Sequence, residues 1–222
     1  ECLPAEEVRA ITAEICGGNL TPVLQYGTTE GFPALRDRLL DYVTARGIPG
    51  ARQENLMVLS GGQQGIDLMF KAFIDKGDVV LVEDPTYLAV LQILNTYEGK
   101  AIGVRSCDEG LDLDDLENKI IQYKPKMPYC VPTFSNPTGR TYTTANRKEI
   151  ASLTARYGVM VLEDDPYSLL RFSGTPVPPL KSFDVAGNVV YVTSFSKILS
   201  PGLRVGVMAG GKEGIRKLVI AK

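Results

Sequence analysis

Ser194-Phe195-Ser196-Lys197-Ile198-Leu199-Ser200-Pro201-Gly202-Leu203-Arg204 joins two apolar runs of β type, Val189 to Val192 before it and Arg204 to Met208 after it. This order predicts Lys197 in a loop at the carboxyl end of a strand, the edge where open α/β sheets bind ligands. Pro201 and Gly202 forbid one continuous helix from Lys197 to Arg204, so a bend brings two cations together, able to address two ends of one anionic ligand. A lone loop lysine is ordinarily just solvated. One whose neighbours lower its pKa can do Schiff-base chemistry.

The same texture extends back through the chain. Short β-branched runs at 56–59, 79–82, 101–104, 129–131 and 159–162 alternate with helical patterns at 62–74, 85–96, 113–123 and 145–157. Continuous apolar runs between amphipathic helices predict a mostly parallel sheet covered on both faces, a three-layer α/β/α fold. Before it, residues 4–16 carry Val8, Ile11 and Ile15 at helical spacing, and residues 33–46 carry Leu35, Leu39, Leu40 and Val43. Residues 24–31 read as a glycine-punctuated loop, the proline-rich stretch 173–182 as an ordered surface excursion, and 212–222 as helix-like.

Four further strand ends carry polar motifs. Ser60-Gly61-Gly62-Gln63-Gln64-Gly65 leads into a helix, whose first N–H groups and dipole suit a phosphate, although such glycines are often only steric. In Asp84-Pro85-Thr86-Tyr87, Asp84 reads as an N-cap and Pro85 as the first helical residue, which leaves Tyr87 as a ring at the ligand edge. Phe134-Ser135-Asn136-Pro137-Thr138-Gly139 is a turn by composition, and its position after a strand brings Asn136 to that edge. In Glu163-Asp164-Asp165-Pro166-Tyr167 two adjacent carboxylates need partners: one can cap the next segment of chain, the other can pair with a buried cation.

Composition narrows the chemistry. The 222 residues contain no histidine, which excludes Ser-His-Asp and Cys-His catalysis and histidine-ligated zinc. Proton transfer falls to lysine, tyrosine or a carboxylate. The formal net charge is −2 with the signs interspersed, so no basic stripe suggests nucleic acid. Cys2, Cys16, Cys107 and Cys130 show no metal or disulfide spacing and read as free thiols. With no stretch resembling a signal peptide or a bilayer span, a soluble cytoplasmic protein with no membrane partner is expected.

Taken together the strand ends supply an anion site, a flat ring contact, hydrogen-bond partners for a phenolic oxygen, a carboxylate and an amine. Pyridoxal phosphate uses each of these. Through these motifs the chain resembles the class I and II aminotransferases of the fold-type I pyridoxal-phosphate enzymes, in particular the aminoadipate/kynurenine-like branch. The matching stretches are L-Q-Y-G-T-T-E-G from Leu24, S-G-G-Q-Q, D-P-T-Y, N-P-T-G, D-D-P-Y and S-F-S-K-I-L-S-P-G-L-R, in the family's order.

The resemblance implies Lys197 as the imine lysine and proton shuttle, Asp164 on the pyridine nitrogen, and Asn136 with Tyr167 on the ring oxygen. It further implies Tyr87 stacked on the ring, and Gly62, Gln63, Ser194 and Arg204 on the phosphate. Tyr26 would reach the phosphate of a neighbouring subunit in a homodimer. The implied reaction moves an amino group from an α-amino acid to a 2-oxo acid. Two departures stand out. Position 62 is glycine where relatives often carry alanine or a small hydroxyl residue. The chain is also short for the family, so residues 1–222 read as the large domain without the amino-terminal arm or the small carboxyl-terminal domain that holds the substrate-carboxylate arginine. Two alternatives stay open: an aminotransferase-like effector domain of a bacterial transcription regulator, and another reaction on the same cofactor, such as β-elimination or decarboxylation.

Overall fold

The computed structural model describes residues 3–222, so Cys2 lies outside the described residues. Helices α1 (Ala5–Gly17), α2 (Thr21–Leu24) and α3 (Pro33–Ala45) come first. After them come β1 (Leu56–Leu59), α4 (Gly62–Phe73), β2 (Val79–Asp84), α5 (Leu88–Thr96), β3 (Lys100–Cys107), β4 (Gly110–Leu111), α6 (Leu113–Tyr123) and β5 (Met127–Cys130). The remainder is α7 (Thr144–Arg156), β6 (Val161–Asp164), β7 (Val189–Ser194), β8 (Gly206–Ala209) and α8 (Lys212–Ala221).

The eight strands form one sheet in the order β1-β8-β7-β6-β5-β2-β3-β4. The pairs β7/β6, β6/β5, β5/β2 and β2/β3 are parallel, while β8 runs antiparallel to both β7 and β1. At the far edge β4 also runs antiparallel, to β3, but it is the reversal of β8 that matters for the site. Because β8 runs backwards, Arg204, two residues before it begins, comes to the same edge as the residues after β1, β2, β5, β6 and β7.

Side chains alternate across the sheet, and both faces are apolar. Val80 and Val82 of β2 join Ile66, Met69 and Phe70 of α4 on one face. Leu81 joins Leu116 and Ile120 of α6 and Ile150 of α7 on the other. A third cluster packs Leu39 and Val43 of α3 on Leu56, Tyr191 and Val207. Gly65 sets how closely α4 approaches: a β-carbon there would come within 2.8 Å of Leu59 Cδ1 and 2.9 Å of Val192 Cγ1. By contrast, α1 buries none of its residues, and Ile11 and Ile15 are about half exposed.

Several boundaries differ from the sequence-based expectation. Asp84 does not cap α5 and Pro85 does not open it. β2 continues to Asp84, paired with Arg105 of β3, so the turn takes residues 85–87 and the cap position falls to Tyr87. The strand expected at 159–162 lies at 161–164, because Gly158 (φ +64°) and Val159 still close α7, with Val159 N–H bonded to Thr154 O. Glu163 and Asp164 are thus inside the ladder, opposite Tyr191 and Val192. Arg204 is not a strand residue but sits at φ 51° just before β8. α2 and β4 are too short to leave a periodic signature. The 173–182 excursion is ordered: Leu180 is buried, and the Leu180 and Lys181 N–H groups both donate to the Glu163 carboxylate, at 2.7 and 2.8 Å. Cys16, Cys107 and Cys130 are free thiols.

Candidate active site

A cleft of about 280 Å³ opens at the carboxyl edge of the sheet. Gly62, Gln63, Tyr87, Asn136, Asp164, Tyr167, Ser194, Lys197 and Arg204 all line it, so nine of the ten residues singled out from sequence meet in one place. The tenth, Tyr26, does not: it is fully exposed on the segment after α2.

At one end of the cleft α4 begins with Gly61 as its cap residue and no side chain capping its first N–H groups. An uncapped helix start is an anion site. Arg204 reinforces it. The Arg204 side chain is aimed by a 3.1 Å bond from Nη2 to Ser60 O, and it runs so close to Gly61 (φ +85°) that any β-carbon there would collide with the guanidinium. Ser194 Oγ accepts from Ser196 N–H at 3.1 Å and lies 2.9 Å from Ser196 Oγ, which places two hydroxyls beside the same helix start. Gly62 is not sterically obligatory, since a β-carbon there would meet Ser194 Cβ at 3.5 Å and Asp164 Oδ1 at 3.9 Å.

At the floor lies Asp164. It is buried, its Oδ2 accepts from Tyr129 O–H at 2.9 Å, and among the described residues no donor reaches Oδ1. Burial pushes its pKa up to about 7; the Tyr129 hydrogen bond opposes this, while the negative charges of Asp165 and Glu83 add to it. A cationic ring nitrogen placed against Oδ1 would offset that desolvation. Tyr167 and Asn136 stand side by side across the cleft. Burial raises the Tyr167 pKa, the Asn136 amide lowers it, and Asp164 and Tyr87 raise it. The chain bends at Pro166, which lets Asp164 and Tyr167 address one cleft despite their odd spacing. On the third side Gln63 Nε2 donates to Tyr87 O–H at 3.4 Å. Lys197 closes the loop side from a 3-10 turn, Phe195–Lys197, and makes no ion pair among the described residues.

The cleft therefore offers a dianion end, an unfilled acceptor on a buried carboxylate, a pair of donors between them and a free amine. This donor set fits a flat, phosphorylated pyridine aldehyde.

Sequence reasoning missed Tyr129, Ser196, Glu83 and Arg46. Tyr129 and Glu83 sit within apolar strand runs and read as core or as strand filler. The signal that could have found Tyr129 is a phenol one residue from a strand's carboxyl end. Asp165 is the acid that meets a cation, the partly buried Arg46: Arg46 Nη2 lies 3.3 Å from its Oδ2, which also accepts from Ser168 and Tyr191. Asp165 thus faces away from the cleft into the α3 contact.

The sequence pattern of the class I and II aminotransferases matches residues 5–221. Aromatic-amino-acid aminotransferase 1 of Thermococcus litoralis is 41% identical over all of this chain and 54% of its own length. An uncharacterized HTH-type transcriptional regulator of Bacillus subtilis is 32% identical over all of this chain and 45% of its own. Among solved structures, kynurenine aminotransferase of Pyrococcus horikoshii superposes with a TM-score of 0.93 at 43% identity, covering 99% of this chain and 55% of that one. The chain spans about half the length of the curated relatives it matches. Carried from end to end by this pattern, with the sheet, the cleft and the lysine loop all in place, the chain belongs to the class I and II aminotransferase family.

Proposed function

We propose that the protein to which this chain contributes transfers an amino group from an α-amino acid to a 2-oxo acid, with pyridoxal 5'-phosphate held in the cleft. The observation that carries the reading is the convergence of Lys197, Asp164 and the Arg204/α4 anion end on one cleft from separate strand ends. When bound, the cofactor supplies an aldehyde for covalent capture of amines and a cationic ring that accepts the electrons of a broken C–H bond.

The chain's own groups do the rest. Lys197 would present Nζ to the aldehyde carbon and would carry the α-proton. Asp164 holds a proton on the ring nitrogen and is itself oriented by the Tyr129 O–H. Asn136 and Tyr167 would hold the ring oxygen, and Tyr87 would contact the ring. Arg204, Ser194, Ser196 and the backbone N–H groups of Gly62 and Gln63 hold the phosphate. Tyr26 serves a second copy across a homodimer, a reading supported by its full exposure, by the exposed Val23 and Leu24 just before it in the chain, and by the exposed Ile11 and Ile15 of α1. Residues 1–222 act as the cofactor-binding large domain. No helix among the described residues is long and apolar enough to cross a membrane.

The regulator relative favours a second reading, in which the cofactor is bound without turnover. One experiment on the full-length protein separates the two. Reconstitution with pyridoxal phosphate, borohydride reduction and peptide mapping should label Lys197, and a panel of amino donors with 2-oxoglutarate should give turnover. Label on another lysine overturns the site; label on Lys197 without turnover on any donor favours the regulator.

A further inference from the structure

Glu83 is an acid with no part in the cleft itself. It is 3% exposed near the end of β2, yet three donors from a different part of the chain converge on it. Ser135 O–H donates to Oε1 at 2.9 Å, Tyr142 O–H to the same oxygen at 2.6 Å, and Val131 N–H to Oε2 at 3.0 Å. These donors come from the end of β5 and from the two sides of the loop that leads to α7. Asn136 is the residue after Ser135.

The loop needs to be held. Phe134, just before Ser135, adopts φ 52°, a left-handed conformation that a bulky L-residue avoids unless its surroundings impose it. The surroundings do so from two sides. Arg147, buried, donates to Pro132 O at 2.8 Å, Thr133 Oγ1 at 2.9 Å and Tyr142 O at 3.2 Å, fixing the far side. Glu83 fixes the near side, where Asn136 leaves the loop for the cleft. We propose that Glu83 is a positioning residue: through Ser135 it sets where the Asn136 amide stands beside Tyr167.

A carboxylate suits this role because one group accepts three bonds from three directions. Its burial raises its pKa and the Tyr142, Ser135 and Val131 bonds counter this, with Arg140 nearby also lowering it. The charged or titratable groups that feel Glu83 in turn are Tyr142, Tyr129, Cys130 and Asp164.

The inference rests on the proposed function, since Asn136 is taken to hold the cofactor's ring oxygen. The test is a spectroscopic titration of the full-length holoprotein, which reads the pH at which the Lys197-bound chromophore changes colour. Losing a donor to the deprotonated ring oxygen raises that pH. Asn136→Ala should raise it by about one unit, Glu83→Ala should raise it in the same direction, and the double variant should rise no further than Asn136→Ala alone. Ser135→Ala, which leaves Glu83 its other two donors, should give a smaller rise of the same sign and decides the matter where Glu83→Ala does not fold. A lower melting temperature with an unmoved titration, or additive shifts in the double variant, would reduce Glu83 to a structural acid and overturn the inference. A wild-type protein that forms no chromophore at Lys197 overturns the functional reading and this inference with it.

Discussion

Helices α1 and α4 are nearly equal in length, thirteen and twelve residues, and both carry apolar residues at helical spacing. Yet α4 buries Gly65, Ile66, Leu68, Met69 and Phe70 against the sheet, while α1 buries nothing among the described residues. The difference teaches that periodicity names the face of a helix and not its partner. What distinguishes α4 is Gly65, which lets the helix lie against Leu59 and Val192, and a start at Gly62 that opens on the cleft. α4 ties core to chemistry. The apolar residues of α1 are exposed, and a second copy is the occupant we propose.

Substitutions can break or sharpen that contrast. The largest effect belongs to the edge that α4 opens on. If the proposed transfer holds, Asp164→Asn should lower turnover of the full-length protein by about 10²- to 10⁴-fold, the range of a lost proton-handling group, with only a modest loss of cofactor. Asp165→Asn, which faces Arg46, should cost far less turnover and appear mainly in the melting temperature; the reverse ranking would place the wrong acid on the ring.

Next in size is the core itself. Phe70→Ala should destabilise by about 3–5 kcal/mol, as expected for a buried aromatic, measured by denaturant unfolding. A cost below about 1 kcal/mol would mean that α4 does not need its sheet face.

The buried acids beneath the cleft give a pH signature. Burial raises both Glu163 and Asp164 to about 7, so the native state holds their protons where the unfolded chain has released them. Their contribution is therefore fully favourable below the ordinary carboxylate range and is lost as pH rises from about 4 through 7. The melting temperature of the cofactor-free protein should fall across that window, and Asp164→Asn should flatten the fall. An equal slope in the variant would show that Asp164 ionises normally. Bound cofactor should flatten it too, through its ring cation.

The smallest effect is expected in α1. Ile11→Ser with Ile15→Ser should change the stability of a single chain by less than about 0.5 kcal/mol, as for exposed positions. In the proposed dimer the loss should appear as a steeper dependence of melting temperature on protein concentration. A large loss with no concentration dependence would place the α1 face against its own chain.

The fold was legible because its signals are local. β-branched runs, glycine stops and helical spacing placed seven of the eight strands and all the long helices, and of the ten residues singled out, the nine at strand ends line the cleft. Motifs such as Ser194 to Arg204 are contiguous and sit where a parallel sheet must put them.

Other features depend on partners far apart in sequence. The length of β2, which moved the cap from Asp84 to Tyr87, comes from pairing with β3. The reversal of β8 brings Arg204 to the start of α4 although it precedes its strand. The assignment of Asp164 to the cleft and Asp165 to Arg46 comes from the register of β6 on β7. Glu83 reads as one acid in an apolar run until the loop at Ser135 and Tyr142 folds onto it. The sequence by itself determined the elements and the chemistry carried at their ends, because both rest on neighbours within a few residues. Only the tertiary structure decided which buried carboxylate faces the cleft, which meets a cation and which accepts bonds from a loop, because burial and hydrogen bonding are properties of what lies across the sheet.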